Sequence, residues 1–194
     1  MILKFYFKFK QWKLNKHLLK FEPKMIYHYN HLGEEVNHTR ISNSTVINEK
    51  KNLILGENVF IGHFNFIEAS NGIRIDEGVQ ITNYVSIISH SSHISIRLYG
   101  KAYQKFSDLK GYVKGNISIG KYTFIGPHST ILPSTQIGKG CIIKSYSQLK
   151  GIYPDFSIIS GNPAIVVGDS RDIDYPYLEE YSELKEFYSQ WVEE

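Results

Sequence analysis

The sequence predicts an all-β solenoid, a parallel β-helix of six-residue repeats with a long inserted loop and a C-terminal α-helix. The main observation is an aliphatic residue at every sixth position from Ile119 to Leu149. A helix repeats near 3.6 residues and a strand alternates at two, so an unbroken period of six belongs to neither alone. In a parallel β-helix each hexad supplies one short strand and one corner, and three hexads complete one coil.

The same period occurs earlier in the chain. Its positions are Leu55, Ile61 and Ile67, followed after a shift of two residues by Ile75, Ile81 and Ile87. Glycine directly follows several of the aliphatics, as in Ile61-Gly62 and Ile125-Gly126, where it suits a tight corner. We therefore expect the solenoid to occupy residues 41–168.

Residues 1–40 form a basic N-terminal segment with less regular patterning. The alternation in KFYFKFK predicts an edge strand over residues 4–10. One helical stripe then predicts a short helix before Pro23, with Leu14, Leu18 and Phe21 on that stripe. Lysines interrupt every apolar run here, so neither a signal peptide nor a membrane span is predicted, and a cytoplasmic protein is expected.

The two ends of the chain carry opposite charge. Residues 1–24 contain seven lysines and one glutamate, whereas residues 169–194 contain nine acidic residues against one arginine and one lysine. Three roles are open for the basic end: a solvated face, pairing with the acidic end in the same oligomer, or a peripheral contact with an anionic membrane surface. No nucleic-acid-binding motif accompanies it, so nucleic acid is not an expected partner.

The acidic segment 169–194 predicts a helix that begins at Pro176, a favoured residue for the first helical position. Its apolar stripe consists of Tyr177, Tyr181, Leu184, Tyr188 and Trp191. Such a stripe must pack on the coils or on a partner. The single cysteine, Cys141, occupies a small-residue position of the repeat and is interpreted as a packing residue.

Between Ile87 and Ile119 the period stops, so residues 88–118 are predicted to form the inserted loop. An insertion this long in a regular solenoid is usually functional. Its aliphatic and aromatic residues argue against disorder. Two histidines, His90 and His93, stand at its start.

The repeat, the loop histidines and the segment SGNPA (160–164) together resemble the hexapeptide-repeat acyltransferases, and among them the sugar O-acetyltransferases that act on galactosides and maltose. The resemblance covers roughly residues 50–168 and is most specific over 56–62 and 117–140. It implies a left-handed β-helix and a homotrimer with active sites in clefts between coils. It also implies acetyl transfer from acetyl-CoA to a sugar hydroxyl, as in a surface polysaccharide or its precursor.

In that family the catalytic residue is a histidine at the start of the loop. An ungapped comparison with the galactoside enzymes aligns their catalytic histidine with Ser92, which lies between His90 and His93, so both histidines are candidates. We favour His90 because it follows the coil directly. A histidine suits the chemistry, since its reference pKa near 6.5 lets it take the proton of an attacking hydroxyl around neutral pH.

The resemblance also implies binding residues. For the acceptor sugar they are Asn65, Glu68, Asn71 and Asn83. Glu68 and Asn71 could instead brace the histidine, and corner hydrogen bonding is the alternative role of all four. For CoA they are Gly126, Ser145, Ser147, Lys150, Gly161 and Pro163. Two positions depart from the family pattern: Phe124 replaces a tryptophan, and Ile165 replaces the basic residue after SGNPA. Lys139, Lys144 and Lys150 are the candidates for the missing phosphate contact, and Lys150 is the one included in the predicted site.

Three alternatives share this fold. An N-acyltransferase acting on an amino-sugar nucleotide would use the same histidine chemistry. A γ-class carbonic anhydrase-like enzyme needs three histidines around zinc, a spacing that this chain lacks, so no metal site is predicted. A non-catalytic assembly module would keep the solenoid alone, but the loop histidines and SGNPA argue against it.

Overall fold

The computed structural model describes residues 2–18 and 22–193, and it confirms the predicted parallel β-helix. Short strands form three sheets that run along the solenoid, and the strands of successive coils pair in parallel within each sheet. One strand from each sheet makes one coil. We call the turns from sheet 1 to sheet 2, from sheet 2 to sheet 3 and from sheet 3 to sheet 1 the first, second and third corners.

The strands of the described chain are short and fall into these sheets and two hairpins. Sheet 1 contains β1 (Met25–Ile26), β4 (Arg40–Ser42), β7 (Phe60–Ile61), β10 (Gln80–Ile81), β15 (Phe124–Ile125), β18 (Ile142–Ile143), β21 (Ser157–Gly161) and β22 (Ala164–Asp169). Sheet 2 contains β5 (Val46–Asn48), β8 (Phe66–Glu68), β11 (Ser86–Ile88), β16 (Thr130–Ile131) and β19 (Gln148–Leu149). Sheet 3 contains β6 (Leu53–Leu55), β9 (Ile73–Ile75), β14 (Ile117–Ile119), β17 (Gln136–Ile137) and β20 (Ile152–Tyr153). The hairpins are β2 (Asn30–His31) with β3 (Glu34–Glu35), and β12 (His90–Ser91) with β13 (Val113–Lys114).

The helices lie outside the coils. They are α1 (Ile2–Leu18), α2 (Ser95–Tyr99), α3 (Arg171–Glu180) and α4 (Leu184–Val192), with 3-10 turns at Lys50–Asn52 and Gly100–Lys105. No helix in the described ranges is both long enough and apolar enough to cross a bilayer.

The core consists of three aliphatic columns, one per sheet, because inward residues of neighbouring coils are register partners. In sheet 2, for example, Ile67 pairs with Ile87, Ile87 with Ile131, and Ile131 with Leu149. These four side chains are fully buried, and burying each stabilises the fold by about 1.5–3 kcal/mol. The six-residue period of the sequence therefore takes the chain from one column to the next, and three such steps complete a coil.

The shift of two residues after Ile67 has a structural cause at the second corner. Ile67 and Ile75 are the inward residues of β8 and β9, and the corner between them is two residues longer than a hexad. Ile73 fills the added space and is also buried. Coil 1 repeats this wide corner between β5 and β6, where Leu53 occupies the equivalent buried position.

The predicted edge strand over residues 4–10 is wrong, because these residues belong to α1. No sheet edge of the described chain pairs with them, and a helix satisfies its own backbone hydrogen bonds without a partner strand. The lysines also stack on aromatic rings four residues earlier, as Lys10 does over Tyr6 and Lys16 over Trp12. The predicted helix over Leu14 and Leu18 coincides with the end of α1, and Phe21 lies outside the described residues.

The single C-terminal helix predicted from Pro176 is wrong in its start and in its continuity. α3 begins at Arg171, because the carbonyl of Ser170 accepts the N–H groups of Ile173 and Asp174 and closes a turn before the proline. The buried Ser170 hydroxyl donates to Gly140 at 2.6 Å and anchors this turn to the solenoid. The helix then breaks around Tyr181, and α4 follows as a separate helix.

Stacked aromatic rings cover the first corner. Phe64, Tyr84, His128 and Tyr146 occupy equivalent positions of successive coils, all with positive φ angles. Their ring centroids lie 4.8–5.2 Å apart, and the His128 imidazole is parallel to both tyrosines within 4°. His128 therefore has a packing role, with its ring between two phenol rings.

Candidate functional site

The inserted segment leaves and rejoins the solenoid at the second corner of coil 3. Its base is the β12–β13 hairpin, in which His90 lies opposite Lys114. The N–H of Gly115 donates to the carbonyl of Ser89 at 3.0 Å and closes the base. His90 is thereby fixed at the point where the chain leaves the coil, directly after the fully buried Ser89.

The structure brings His90 together with Glu68, which ends the neighbouring strand β8. The His90 Nδ1 atom lies 2.6 Å from Glu68 Oε2. The Glu68 side chain is 10% exposed and the His90 side chain 31% exposed, so the carboxylate is shielded while the imidazole reaches solvent. Two roles were predicted for Glu68, binding the sugar or bracing the histidine, and its contact with His90 is the one that bracing requires.

Other donors hold Glu68 as a carboxylate. Ser89 Oγ donates to Oε2 and the Ser70 N–H donates to Oε1, both at 3.0 Å. Burial alone would raise the pKa of Glu68, but the hydrogen bonds from Ser70, Ser89 and His90 outweigh it and hold the pKa below its usual value. A charged acceptor therefore faces the imidazole.

This contact assigns the two ring nitrogens of His90. A carboxylate accepts but does not donate, so Nδ1 carries the hydrogen that bonds Glu68, which leaves Nε2 as the acceptor. The Ser70 hydroxyl also lies on the Nδ1 side, at 3.1 Å. Ser70 is therefore not positioned as a nucleophile activated by Nε2, and the free nitrogen can accept a proton from an incoming group.

Tyr112 covers one face of His90. The two rings stack with centroids 5.4 Å apart and planes inclined by 13°. Burial, followed by the charges of Tyr103 and Glu68, raises the pKa of Tyr112. The stacking restricts rotation of the imidazole and shields it on one side.

A polar cavity of about 480 Å³ lies beside Tyr112, the ring that stacks on His90. Its lining residues are Ser70, Asn71, Ser107, Asp108, Leu109, Tyr112 and Lys114. Asn71 is a predicted acceptor residue; its side chain donates to Ser70 Oγ at 3.0 Å. Hydroxyl, amide and charged groups on one wall suit a ligand with many hydroxyl groups.

His93 lies in a different setting. Its Nδ1 contacts Ser91 Oγ at 2.8 Å, its side chain is exposed, and its carbonyl accepts from the guanidinium of Arg97. Among the described residues no carboxylate pairs with it, whereas His90 has Glu68. The geometry therefore favours His90 of the two candidates as a base.

Asn65 and Asn83 stay away from this cluster. Asn65 is buried at the first corner, at the end of β8 opposite Glu68, where its amide donates to two backbone carbonyls and accepts the N–H of Val85. Asn83 accepts the N–H of His63 at 2.7 Å at the same corner. Both contacts are the corner hydrogen bonds given above as their alternative role.

Most of the predicted CoA-binding residues lie together at the first corner of the last coils. Gly126, Ser145, Gly161 and Pro163 are in this group, and the buried Ser147 donates to the Lys144 carbonyl at 2.6 Å. Gly126 is required by the stacking of coils, because a Cβ there would lie 2.7 Å from the backbone of the next coil. Lys150 instead lies at the second corner, after β19.

His90 and most of the predicted CoA-binding residues thus lie at opposite edges of sheet 2 within one chain. His90 lies at the second corner and the group around Ser145 lies at the first. A ligand that contacts both must either cross the face of sheet 2 or lie between two chains.

Sequence reasoning missed Tyr112, Ser70 and Ser89, which complete the surroundings of His90. The only sequence signal was position, since Ser89 directly precedes His90 and Tyr112 lies near the end of the insertion. Cys141 is fully buried, and burial raises its pKa to about 11. Within the described ranges, no three histidine, cysteine or carboxylate side chains are grouped so as to hold a metal ion.

A family model, "Bacterial transferase hexapeptide (six repeats)", matches residues 116–151. A probable acetyltransferase of Mycobacterium tuberculosis is 41% identical over 58 residues, which are 30% of this chain and 19% of that protein. A putative lipopolysaccharide biosynthesis O-acetyltransferase of Escherichia coli K12 is 30% identical over 60 residues, 31% of each chain. The matched segments thus span less than a third of these relatives.

Solved structures share the fold over a larger part of the chain. A maltose O-acetyltransferase from Clostridium difficile 630 superposes with a TM-score of 0.58 and 20% identity over 70% of this chain and 67% of its own. AntD, an N-acyltransferase from Bacillus cereus in complex with dTDP and 3-hydroxybutyryl-CoA, gives a TM-score of 0.57 and 17% identity over 76% and 88%. The chain therefore has the left-handed parallel β-helix fold of these acyltransferases, and its residues 116–151 match the hexapeptide-repeat model.

Proposed function

We propose that the chain is an acetyl-CoA-dependent O-acetyltransferase that acetylates a sugar hydroxyl, with His90 as the general base. The observation that carries the proposal is the 2.6 Å contact between His90 Nδ1 and a shielded Glu68. It leaves Nε2 as a proton acceptor, which hydroxyl activation needs. Tyr112 and Ser70, which contact His90, line the polar cavity next to it.

In the proposed reaction, His90 Nε2 removes the hydroxyl proton as the sugar oxygen attacks the thioester carbonyl of acetyl-CoA. The new C–O bond gives a tetrahedral oxyanion, which backbone N–H groups at a corner would stabilise. The C–S bond then breaks, and the imidazolium returns its proton to the departing thiolate. Glu68 stabilises the imidazolium in between, because a carboxylate on Nδ1 favours the charged ring. No acyl-enzyme is formed, consistent with the buried position of Cys141.

The acceptor would occupy the cavity lined by Ser70, Asn71, Asp108 and Lys114. Its polar wall suits a sugar, and the names of the Escherichia coli relative and the maltose enzyme point to glycan substrates. A unit of a surface polysaccharide, or its precursor, is the substrate class that we propose.

Acetyl-CoA would lie between two chains of a homotrimer. The group around Ser145 and Gly161 on one chain and His90 on another could then face the same cleft, which would explain their separation across sheet 2. Lys150, at the edge that carries His90, would be available to a CoA phosphate.

A second candidate is N-acylation of an amino-sugar nucleotide. The solved structure of AntD, an N-acyltransferase, resembles this chain over a large share of both. The same base would remove a proton from the amine, so an acceptor assay must separate the two functions.

The test is calorimetry with CoA and acetyl-CoA, followed by acetyl-transfer assays on maltose, galactosides and amino-sugar nucleotides. Micromolar binding without added metal and ester formation on a hydroxyl sugar would support the proposal. Transfer only to amines would favour the second candidate. A chain that binds neither form of CoA would contradict both.

Two finer expectations stay predictions from the sequence. One is a cytoplasmic location. The other is the role of the basic N-terminus, for which the sequence leaves open a peripheral contact with the inner face of the membrane and pairing with the acidic end of another chain.

A further inference from the structure

Helix α1 exposes an unusually apolar and basic surface. The exposed rings and aliphatic side chains are Phe5, Tyr6, Phe7, Phe9, Trp12 and Leu14, and Phe5 is 80% exposed. Lysines lie among them, and residues 2–18 contain no acidic residue. In the described chain no hydrogen bond, ion pair or ring contact joins residues 5–16 to another element. A large exposed apolar surface of this kind marks a binding surface.

Helices α3 and α4 expose a second apolar surface, with the opposite charge. A groove of about 540 Å³ lies between them, lined by Tyr122, Asp174, Tyr177, Leu178, Leu184, Phe187, Tyr188, Gln190 and Trp191. Neither helix contains a fully buried residue, and Phe187 is 65% exposed. Acidic residues predominate on these helices, namely Asp172, Asp174, Glu179, Glu180 and Glu186.

The wall of the groove on the solenoid side is well ordered. Trp191 packs against Tyr122, Phe156 and Tyr188 with centroid distances of 4.8, 5.9 and 5.2 Å. The hydroxyl of Tyr188 donates to Asp174 at 3.2 Å, so the carboxylate has a fixed position beside the rings. Lys139 donates to the carbonyl of Val192 and fixes the end of α4. The groove therefore exists before any partner binds.

We propose that α1 of one chain docks into the groove between α3 and α4 of a second copy of the chain. The two surfaces are complementary. The exposed aromatic side chains of both would pack together, and the lysines of α1 would pair with the carboxylates of α3 and α4. Interface centres are enriched in aromatic residues, and complementary charge fixes the partner and the orientation. One contact would thus cover two surfaces that a single chain leaves exposed.

The geometry permits this contact. β1, which follows α1 after residues 19–24, lies on coil 1, whereas Tyr122 and Phe156 place the groove beside coils 4 and 5. Three coils correspond to about 14 Å along the solenoid, at roughly 4.8 Å per strand. A helix of 17 residues is about 25 Å long, so it spans this height in a neighbour aligned side by side.

The contact joins two different surfaces, so it is heterologous. Heterologous contacts close into a ring when the rotation between copies permits it. The predicted trimer is such a ring, and α1 would then link each chain to the next. This inference does not depend on acetyl transfer, and it would hold for a non-catalytic chain.

The test is disulfide capture between two different chains. One chain carries Trp12→Cys and an affinity tag, the other carries Phe187→Cys, and the two are co-expressed and mildly oxidised. We expect a covalent dimer containing one of each, since Trp12 and Phe187 are exposed and Cys141 is too buried to compete. The matched control replaces Phe187→Cys by Ile152→Cys, an exposed site on sheet 3 of coil 5, and should give no dimer.

Charge reversal provides the second measurement. Lys10→Glu with Lys13→Glu should abolish the covalent dimer, and adding Glu183→Lys with Glu186→Lys in the other chain should restore it. Circular dichroism confirms that each variant is folded.

Two results would overturn the proposal. In the first, a third variant that carries both Trp12→Cys and Phe187→Cys forms a disulfide only within one chain, which would show that α1 folds back on its own groove. No capture, together with sedimentation of the wild-type protein on vesicles containing phosphatidylglycerol and loss of that binding in the Lys10→Glu, Lys13→Glu chain, would make α1 a membrane helix instead.

Discussion

At the scale of single residues, the contacts of His90 orient its ring and leave the Nε2 atom without a partner among the described residues. Glu68 holds Nδ1, and Tyr112 covers the ring face. The carboxylate is itself held by two serines. Because every one of these contacts leaves Nε2 free, each of them orients the ring without blocking the atom that would accept the proton.

Replacing His90 tests its role as the base. We expect His90→Ala to lower kcat by about 10²-fold or more, the usual scale for loss of a general base, while calorimetry still detects CoA binding. His93→Ala is the matched control and should retain most activity, since no carboxylate of the described chain orients it. The reverse pattern would reassign the base to His93, and two active variants would refute the mechanism.

Glu68→Gln tests whether the carboxylate acts through the histidine. Glutamine keeps an acceptor for Nδ1–H but removes the charge that stabilises the imidazolium. Each pKa unit of lost stabilisation corresponds to about a factor of ten, so we expect kcat to fall by at least about tenfold with the KM for acetyl-CoA unchanged. A pH–rate profile identical to that of the wild type would show that Glu68 is only a structural residue.

Glu68 should also link stability to pH. Its pKa is lower in the folded chain than its ordinary value of 4.5, so its carboxylate stabilises the fold above that value, and the stabilisation disappears as pH falls through the folded pKa. The free energy of unfolding in urea should therefore differ between wild type and Glu68→Gln by a constant amount near neutral pH and by progressively less below about pH 4.5. A difference that grows in acid would contradict this sign.

The sequence identified two candidate histidines but could not choose between them. The choice depends on Glu68, which lies 22 positions away and reaches His90 only because adjacent coils stack. Tyr112 was missed for the same reason, since it approaches only when the β12–β13 hairpin closes the loop. Asn65 was predicted to bind the sugar but bonds the backbone of its corner instead. The sequence could not separate the two roles, because a polar residue at a corner suits either.

At the scale of elements, the columns of aliphatic residues carry the stability of the solenoid. Ile131 is fully buried between Ile87 and Leu149. Ile131→Ala should lower the free energy of unfolding by about 2–5 kcal/mol, the usual cost of such a cavity. The control Ile165→Ala, at a side chain that is 64% exposed on β22, should change it by less than about 0.5 kcal/mol. Equal effects at both sites, measured in urea, would contradict the column model.

Periodic elements were predictable and the isolated helices were not. The coils follow a six-residue repeat because each inward residue packs on the equivalent residues of the adjacent coils. α1 has no such constraint. Its alternating polar and apolar residues are also compatible with a strand, and only the structure shows that no sheet edge of the described chain pairs with them. The start of α3 depended on Ser170, whose anchor on Gly140 lies 30 positions away.

At the scale of the whole molecule, the positions of the site residues predict an oligomer. His90 and the group around Ser145 lie at opposite edges of sheet 2, and a neighbour in a ring could bring them together. We expect light scattering to give the mass of a trimer, three times 22.4 kDa. A monodisperse monomer with full activity would refute a site shared between chains.

The two ends of sheet 1 have a consequence for solubility. A stack of parallel coils presents open strand edges at both ends, which are templates for end-to-end polymerisation. β1 and β22 pair antiparallel with the terminal strands β4 and β21. A strand of reversed direction cannot accept the next parallel coil in register, so on sheet 1 these two strands oppose the end-to-end addition of further copies.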